Sequence, residues 1–403
     1  MNGQSREGGF EKMVGLPAVL AVVVVFWVGL LFYQRKRKFT NTLYFKKSRL
    51  NVLLVKKCQT LTKPFTPTFW ASGNRLQTFL PWILPQAEVE FTREYLQMAD
   101  KGIIALDWMT VNDNSLLKVS PVMLLIPALT QTAVDLSSAC TMALERKFRP
   151  VVFNRRGHSL TPLTTRRLQA FAEGGDLEEA VTFIHRMFPY AEIFAVAYST
   201  GSDLLISYLG EVGSTTNVTA AVCISPSYDT EGYFRGKFFE PYNTIVIREL
   251  KMLVRQHSSL WEAINYDNAM KSETVKDFEE RVHVRLNPQY YSTDEYWRLN
   301  NPMRNVANVS IPVLCVSAID DPVIPKEIIP FSLFKTSSNF ILVAPENGGH
   351  CGFLENALPV YWGDRLACDF LETIQDQGVP KGKSDNHLSP LDIQGPRNRS
   401  YTT

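Results

Sequence analysis

The middle of the chain alternates short, predominantly apolar runs with longer stretches of mixed polarity. Val122–Pro127 (VMLLIP), Pro150–Phe153 (PVVF), Ile193–Ala197 (IFAVA), Val218–Ile224 (VTAAVCI), Val313–Val316 (VLCV) and Asn339–Val343 (NFILV) are strand-length, and several are rich in β-branched residues. An unbroken apolar run implies a strand buried on both faces. Helical periodicity between the runs, as in Asp176–Arg186 (DLEEAVTFIHR), supplies the elements that would cover them. The pattern therefore predicts a mostly parallel sheet covered by helices. Glu94–Met98 and Ile103–Met109 read as an opening antiparallel pair around Asp100-Lys-Gly. From about Pro226 to Asn300 the chain turns helical, charged and Tyr-rich without a strand signal, and residues 227–300 are expected to form a helical lid inserted after a core strand.

The ends of the chain follow other patterns. Met13–Tyr33 is a run of 21 residues without a charge, and at about 1.5 Å per residue it spans roughly 30 Å, the thickness of a bilayer core. It reads as one transmembrane helix after a short N-terminal tail (residues 1–12). A cleaved signal peptide is the competing reading, but the run exceeds the roughly 7–15 residues of a signal h-region, and no small-x-small pattern follows Tyr33. Arg6 and Lys12 precede the span, whereas Arg35, Lys36, Arg37, Lys38, Lys46, Lys47 and Arg49 follow it, which favours a cytosolic C-terminal side. A single-pass protein of the endoplasmic reticulum or a related membrane, with its bulk in the cytosol, is expected. A lumenal or secreted chain is the alternative, and the sequons at Asn217, Asn308 and Asn398 would then be glycosylated. Residues 34–64 read as a basic juxtamembrane linker, 65–375 as the folded domain, and 376–403, polar and rich in Pro, Gly and Ser, as a disordered tail.

Composition narrows the partners. The chain has 403 residues, 45% hydrophobic, with 42 Lys and Arg against 40 Asp and Glu, so no global field attracts nucleic acid. Six cysteines at 58, 140, 223, 315, 351 and 368 show no C-x-x-C pair, and neither a metal site nor a disulfide framework is expected. No cofactor is implied.

The candidate chemistry lies at the ends of the apolar runs. Ala197-Tyr-Ser199-Thr-Gly201 stands where a strand gives way to a helix, and small residues two before and two after the Ser allow the tight turn of a nucleophile elbow. A helix N-cap serine is the plainer reading of the same five residues. A serine nucleophile needs a base, and the base needs an acid. His350, in Gly348-Gly-His-Cys-Gly352, follows an apolar strand and is the candidate base; Asp321, with Asp320 as fallback, follows Val313–Ile319 and is the candidate acid. Either Asp could instead make an ordinary Asx turn. The order Ser199, Asp321, His350 is that of α/β-hydrolases. The oxyanion hole is expected from the backbone N–H of Thr200 and of Leu129, in the loop Pro127–Thr132.

At these residues the chain resembles family 4 of the α/β-hydrolase-domain proteins, membrane-anchored lipid esterases and their relatives. The likeness covers about Pro64–Ile374. Gly73-Asn-Arg-Leu-Gln-Thr78 is similar to the family's G-x-x-Q-T, Asn154-Arg-Arg-Gly157 to its N-x-R-G, and Ser317-Ala-Ile-Asp-Asp-Pro322 to its acid turn; Glu94–Asp100, Ile206–Glu211 and Gly348–Leu354 add to the match. The resemblance implies an α/β-hydrolase fold, Ser199, Asp321 and His350 as a catalytic triad, and lipid acyl esters as substrates. A second expectation is a weakly active or inactive scaffold that regulates lipid metabolism through a protein partner. It rests on the altered oxyanion loop, where Ala128 and Gln131 replace two glycines of P-G-L-T-G-T; Ala197 also replaces the first glycine of the elbow. Separately, the family's acyltransferase pattern H-x4-D is unmet, since Glu355 stands where it has Asp. If those glycines alone limit the rate, restoring them at 128 and 131 should raise ester turnover.

Overall fold

A computed structural model describes residue 29 and residues 39–111, 116–234, 240–287 and 289–378. The N-terminal tail, the expected transmembrane run apart from residue 29, and most of the C-terminal tail lie outside the described residues. Among the described residues, no helix is long and apolar enough to cross a membrane.

Nine strands form one sheet: β1 (Asn41–Phe45), β2 (Phe91–Gln97), β3 (Ile103–Met109), β4 (Val122–Ile126), β5 (Arg149–Asn154), β6 (Ile193–Tyr198), β7 (Val218–Ile224), β8 (Val313–Val316) and β9 (Phe340–Pro345). Their order is β1-β9-β8-β7-β6-β4-β5-β3-β2. The six strands β4 to β9 run parallel, while β1 pairs antiparallel to β9 and β2–β3 extends the other side antiparallel. Every residue of β4, β6, β7, β8 and β9 is buried, which is why these strands read as continuous apolar runs. The strand order reverses at β4, between β5 and β6. Ligand sites of open α/β sheets lie at the carboxyl ends beside such a reversal.

Helices cover both faces. In chain order they are α1 (Arg49–Lys57), α2 (Gln59–Thr62), α3 (Asn74–Ile83), α4 (Ser137–Glu145), α5 (Gly175–Met187), α6 (Thr200–Val212), α7 (Thr230–Phe234), α8 (Tyr242–Gln256), α9 (Tyr266–Ala269), α10 (Val275–Leu286), α11 (Thr293–Leu299), α12 (Phe331–Thr336) and α13 (Trp362–Gln377). Helix α5 shows the local logic. Leu177, Ala180, Val181 and Ile184 form its buried stripe, with Asp176 and Glu178 in the first turn and His185 and Arg186 in the last, matching the helix dipole.

The linker expected over 34–64 is corrected by the structure from residue 41 onward. Asn41–Phe45 closes the sheet beside β9, Ser48 caps α1 by accepting the Asn51 N–H, and Leu54, Cys58, Leu61 and Phe65 are buried with the α13 face. The strand has just five residues and sits among lysines, so neither its length nor its polarity announces it. Between β7 and β8, helices α7 to α11 share their own apolar cluster, which includes Phe234, Val246, Phe278 and Trp297 and closes on Val323 and Ile324 just after Asp321. A short hairpin, β10 (Leu354–Glu355) and β11 (Val360–Tyr361), follows the His350 loop.

Candidate active site

Ser199 stands between the buried end of β6 and the first turn of α6, with φ +47° and ψ −120°. A non-glycine residue rarely adopts this region, at a cost of about 1–3 kcal/mol, and it persists only where the surroundings fix it. Here the Ser199 N–H donates to the Ile224 carbonyl at 2.8 Å. Gly201 lets α6 approach: a Cβ there would lie 2.4 Å from the Ile126 carbonyl oxygen and 2.6 Å from that of Pro127. The small residue required at this position thus has a direct steric cause at the end of β4.

His350 Nε2 lies 2.8 Å from Ser199 Oγ, and His350 Nδ1 lies 2.9 Å from Asp321 Oδ2. Residues 151 and 29 positions apart in sequence are thereby joined in one buried relay. The two aspartates separate cleanly. Asp321 faces the imidazole through Oδ2 while its Oδ1 accepts the Val323 and Ile324 N–H groups at 2.7 and 2.9 Å. Asp320 instead accepts from Gly349 N and Asn347 Nδ2, both at 3.1 Å, and so shapes the loop that carries the histidine. Burial raises the Asp320 carboxyl above its ordinary pKa.

The Gly73–Thr78 motif buttresses that loop. Thr78 Oγ1 accepts the His350 N–H at 3.0 Å, Asn74 Nδ2 donates to the Asp320 carbonyl at 2.8 Å, and Gln77 exchanges hydrogen bonds with Leu354 through its side-chain oxygen and nitrogen. The family resemblance marks this motif in the sequence, but its role shows only in these contacts. The signal available was the polar cluster Asn74, Arg75, Gln77 and Thr78 at the start of a helix that is otherwise apolar.

Thr200 is the first residue of α6, so its N–H is one of the orphan donors of a helix N-terminus. Its carbonyl accepts from Arg155 Nη2 at 3.0 Å. Burial draws the Arg155 guanidinium down to about 10. This arginine ties the end of β5 to the elbow. Across the site, Leu129 packs its side chain against the cluster of α7–α11. Gln131 Oε1 accepts the Ala128 N–H at 3.0 Å, and Gln131 N–H donates to the Ala128 carbonyl at 3.1 Å. Where the family pattern has glycines, this chain therefore has a loop closed by a reciprocal pair of hydrogen bonds.

Ser199, His350, Gln131 and Tyr242 line a chamber of about 30 Å³, room for about one water molecule. Trp82 roofs it, stacked on Tyr242 with ring centroids 5.7 Å apart. A second cavity of about 160 Å³ adjoins it, sharing Trp82, Gln131 and Cys351 and reaching Tyr198, Phe353 and Asp364. That size compares with a cavity of about 150 Å³ that accepts benzene. Tyr198 donates to Asp364 at 2.8 Å, and burial pushes the Asp364 carboxyl up to about 6.

A serine on a strained strand-to-helix turn at the carboxyl edge of a mostly parallel, helix-covered sheet defines an α/β-hydrolase fold. No family model matches the chain. It is 39% identical over 310 residues to human Protein ABHD15, covering 73% of this chain and 66% of that protein's length. It is 32% identical over 389 residues to mouse Phospholipase ABHD3, covering 93% of each. Among solved structures, an esterase of Pyrococcus furiosus aligns with 14% identity and a TM-score of 0.44, covering 72% of this chain and 91% of that one. The chain belongs to the abhydrolase domain-containing family.

Proposed function

We propose that this protein is a membrane-anchored serine hydrolase acting on lipid acyl esters. The hydrogen-bonded relay Ser199–His350–Asp321, at 2.8 and 2.9 Å, carries the reading. The likeness to Phospholipase ABHD3, a relative over nearly the whole chain, supports the lipid ester as substrate. The Ser199 hydroxyl donates to His350 Nε2, and the His350 Nδ1–H donates to Asp321, which holds the imidazole in that tautomer. Ser199 Oγ attacks the acyl carbonyl as its proton passes to Nε2. The oxyanion draws on the N–H groups of Thr200 and Leu129. His350 then protonates the departing alcohol, and water, deprotonated by the same nitrogen, releases the acid and restores Ser199.

The chamber at Ser199 is too small for an ester, so α7–α11 act as a lid that must shift, and the adjoining 160 Å³ cavity receives one limb of the substrate. The anchor is residues 13–33, and the domain faces the cytosol from the endoplasmic reticulum or a related membrane. Ser199→Ala should abolish labelling by a fluorophosphonate probe and ester turnover together. Undiminished labelling would remove Ser199 as nucleophile. Full rescue of lipolysis by a stably expressed Ser199→Ala chain, in cells lacking the parent, would leave the scaffold reading in its place.

A further inference from the structure

Exposed apolar side chains gather beside the Ser199 chamber. On α3, Leu76, Trp82 and Ile83 are exposed, Ile83 at 76%; on the hairpin, Leu358 is 84% exposed and Val360 is open as well. The two elements form one surface. Leu80 and Leu354 share a small core with Leu84 and Tyr361 against them, Gln86 Nε2 lies 3.3 Å from Tyr361 Oη, and Trp70 Nε1 donates to the Ala357 carbonyl at 3.0 Å. Single exposed apolar residues need no explanation, but a group of them on two joined elements, one of which lines the chamber, does. Trp82 belongs to both places, since its ring also lines the chamber.

The start of the described fold lies beside this surface. Strand β1 runs antiparallel to β9, with Asn41 opposite Pro345, so the chain enters at the carboxyl edge of the sheet, the edge that carries Ser199 and His350. Asn41 is clasped to Lys63 and Phe65 by hydrogen bonds of 2.6 and 3.0 Å. Two residues on, Pro67 bridges Glu355 of the hairpin, and the Thr68 N–H donates to Leu354. From Tyr33, the last residue of the apolar run, to Asn41 there are eight peptide steps, which reach at most about 29 Å. The opposite edge lies a further strand length away, about 20 Å for six residues.

We propose that α3 and the β10–β11 hairpin lie against the lipid bilayer and open the Ser199 chamber onto it. The proposal rests on the reading of residues 13–33 as a membrane anchor. A tether this short, entering beside the apolar rim, selects the bilayer over a second copy or a soluble partner as its occupant. A tryptophan at the rim suits the interfacial region of a bilayer. Substrate then moves from the lipid phase past Trp82 without crossing water.

The test uses the full chain in phosphatidylcholine vesicles containing nitroxide-labelled lipid. A fluorophore is attached to single new cysteines from Ile83→Cys, Leu358→Cys, Leu117→Cys or Tyr190→Cys; the native cysteines are buried except Cys351, which is half-buried, and unsubstituted chain measures background labelling. Leu117 and Tyr190 are exposed and precede β4 and β6, at the opposite edge. The nitroxide should quench emission at 83 and 358 at least about twofold more than at 117 and 190. Equal quenching at all four positions, with the chain retained after an alkaline carbonate wash, overturns the proposal. Release by that wash overturns the anchor reading and the orientation with it. Loss of esterase activity leaves the quenching pattern readable, so failure of the hydrolase reading is told apart. The double variant Ile83→Asp, Leu358→Asp should lower turnover of a vesicle-embedded ester at least about fivefold and leave a soluble short-chain ester unaffected. An equal fall on both substrates, or disulfide crosslinking of Ile83→Cys between copies in lipid-free detergent, also overturns it.

Discussion

Gln131 shows how one side chain can reverse an expectation. From sequence, replacing Ala128 and Gln131 by glycine should restore the family loop and raise turnover. In the structure, Gln131 Oε1 holds the Ala128 N–H, so glycine at both positions removes the tie that sets the direction of the loop's amides. The double glycine variant is now expected to be slower than the parent on a panel of acyl esters. Gln131→Glu separates two roles, because it keeps an oxygen for Ala128 but replaces the amide nitrogen beside the chamber by a second anionic oxygen. If that N–H helps to bind the oxyanion, its loss costs on the order of 10²–10³ in kcat. We expect a fall of about 10² with KM little changed; parent-like kcat would assign Gln131 to loop structure alone. The site's membership was legible in sequence because each candidate follows an apolar strand, and the choice of Asp321 over Asp320 agrees with the geometry, but the part Asp320 plays in holding the His350 loop was not legible. Adjacent residues in a turn point to different partners, and only the turn decides which faces His350.

Among the elements, α10 carries the least expected group. Glu279 is fully buried there, accepts a short hydrogen bond from the Tyr296 hydroxyl of α11, and has Oε1 3.4 Å from His283 Nε2. Arg155, from the end of β5, faces it electrostatically. Burial pushes the Glu279 carboxyl up to about 8, and burial lowers His283 to about 3 and His158 to about 4. For Glu279 the folded state holds a proton that the unfolded chain has released, so stability falls as pH rises from about 4.5 to about 8. The histidines act oppositely below about 6.5, where the unfolded chain would charge them, and Asp203 and Asp364, both raised by burial to about 6, also titrate there. The clean window is therefore about pH 6.5–8. Glu279→Gln keeps an oxygen for Tyr296 and removes the titration, so its Tm should fall less than the parent's across that window. The slope removed is at most about 1.4 kcal/mol per pH unit. Parallel Tm profiles for the two chains would place the folded-state Glu279 pKa below the window. The elements themselves were read best where burial on both faces left an unbroken apolar run, as in β4 and β7. They were missed where pairing is short and at an edge, as in β1, whose stability comes from β9 rather than from its own composition.

At the scale of the whole molecule, the distribution of charge around the proposed anchor predicts which side of a membrane the domain would occupy. The full chain carries a net charge of only +2, yet seven Lys and Arg lie within 16 residues after the apolar run against two before it. Basic residues close to a span set its orientation, whereas charge deep in a large domain has little effect. The cytosolic reading follows from this local asymmetry. The fold supplies a direct test through its sequons. Asn308 is exposed in a short turn ahead of β8, and Asn217 is half-buried just ahead of β7. Both sit at the amino edge of the parallel strands, away from α3 and the hairpin, so contact of those elements with a bilayer would not cover Asn308. A lumenal domain should therefore acquire sugar there. We expect the full chain in sealed microsomes to show no glycosidase-sensitive mass and its domain to be digested by added protease. A glycan released from Asn308, with the domain protected until detergent is added, would place the hydrolase in the lumen and show that the flanking charges do not govern this span.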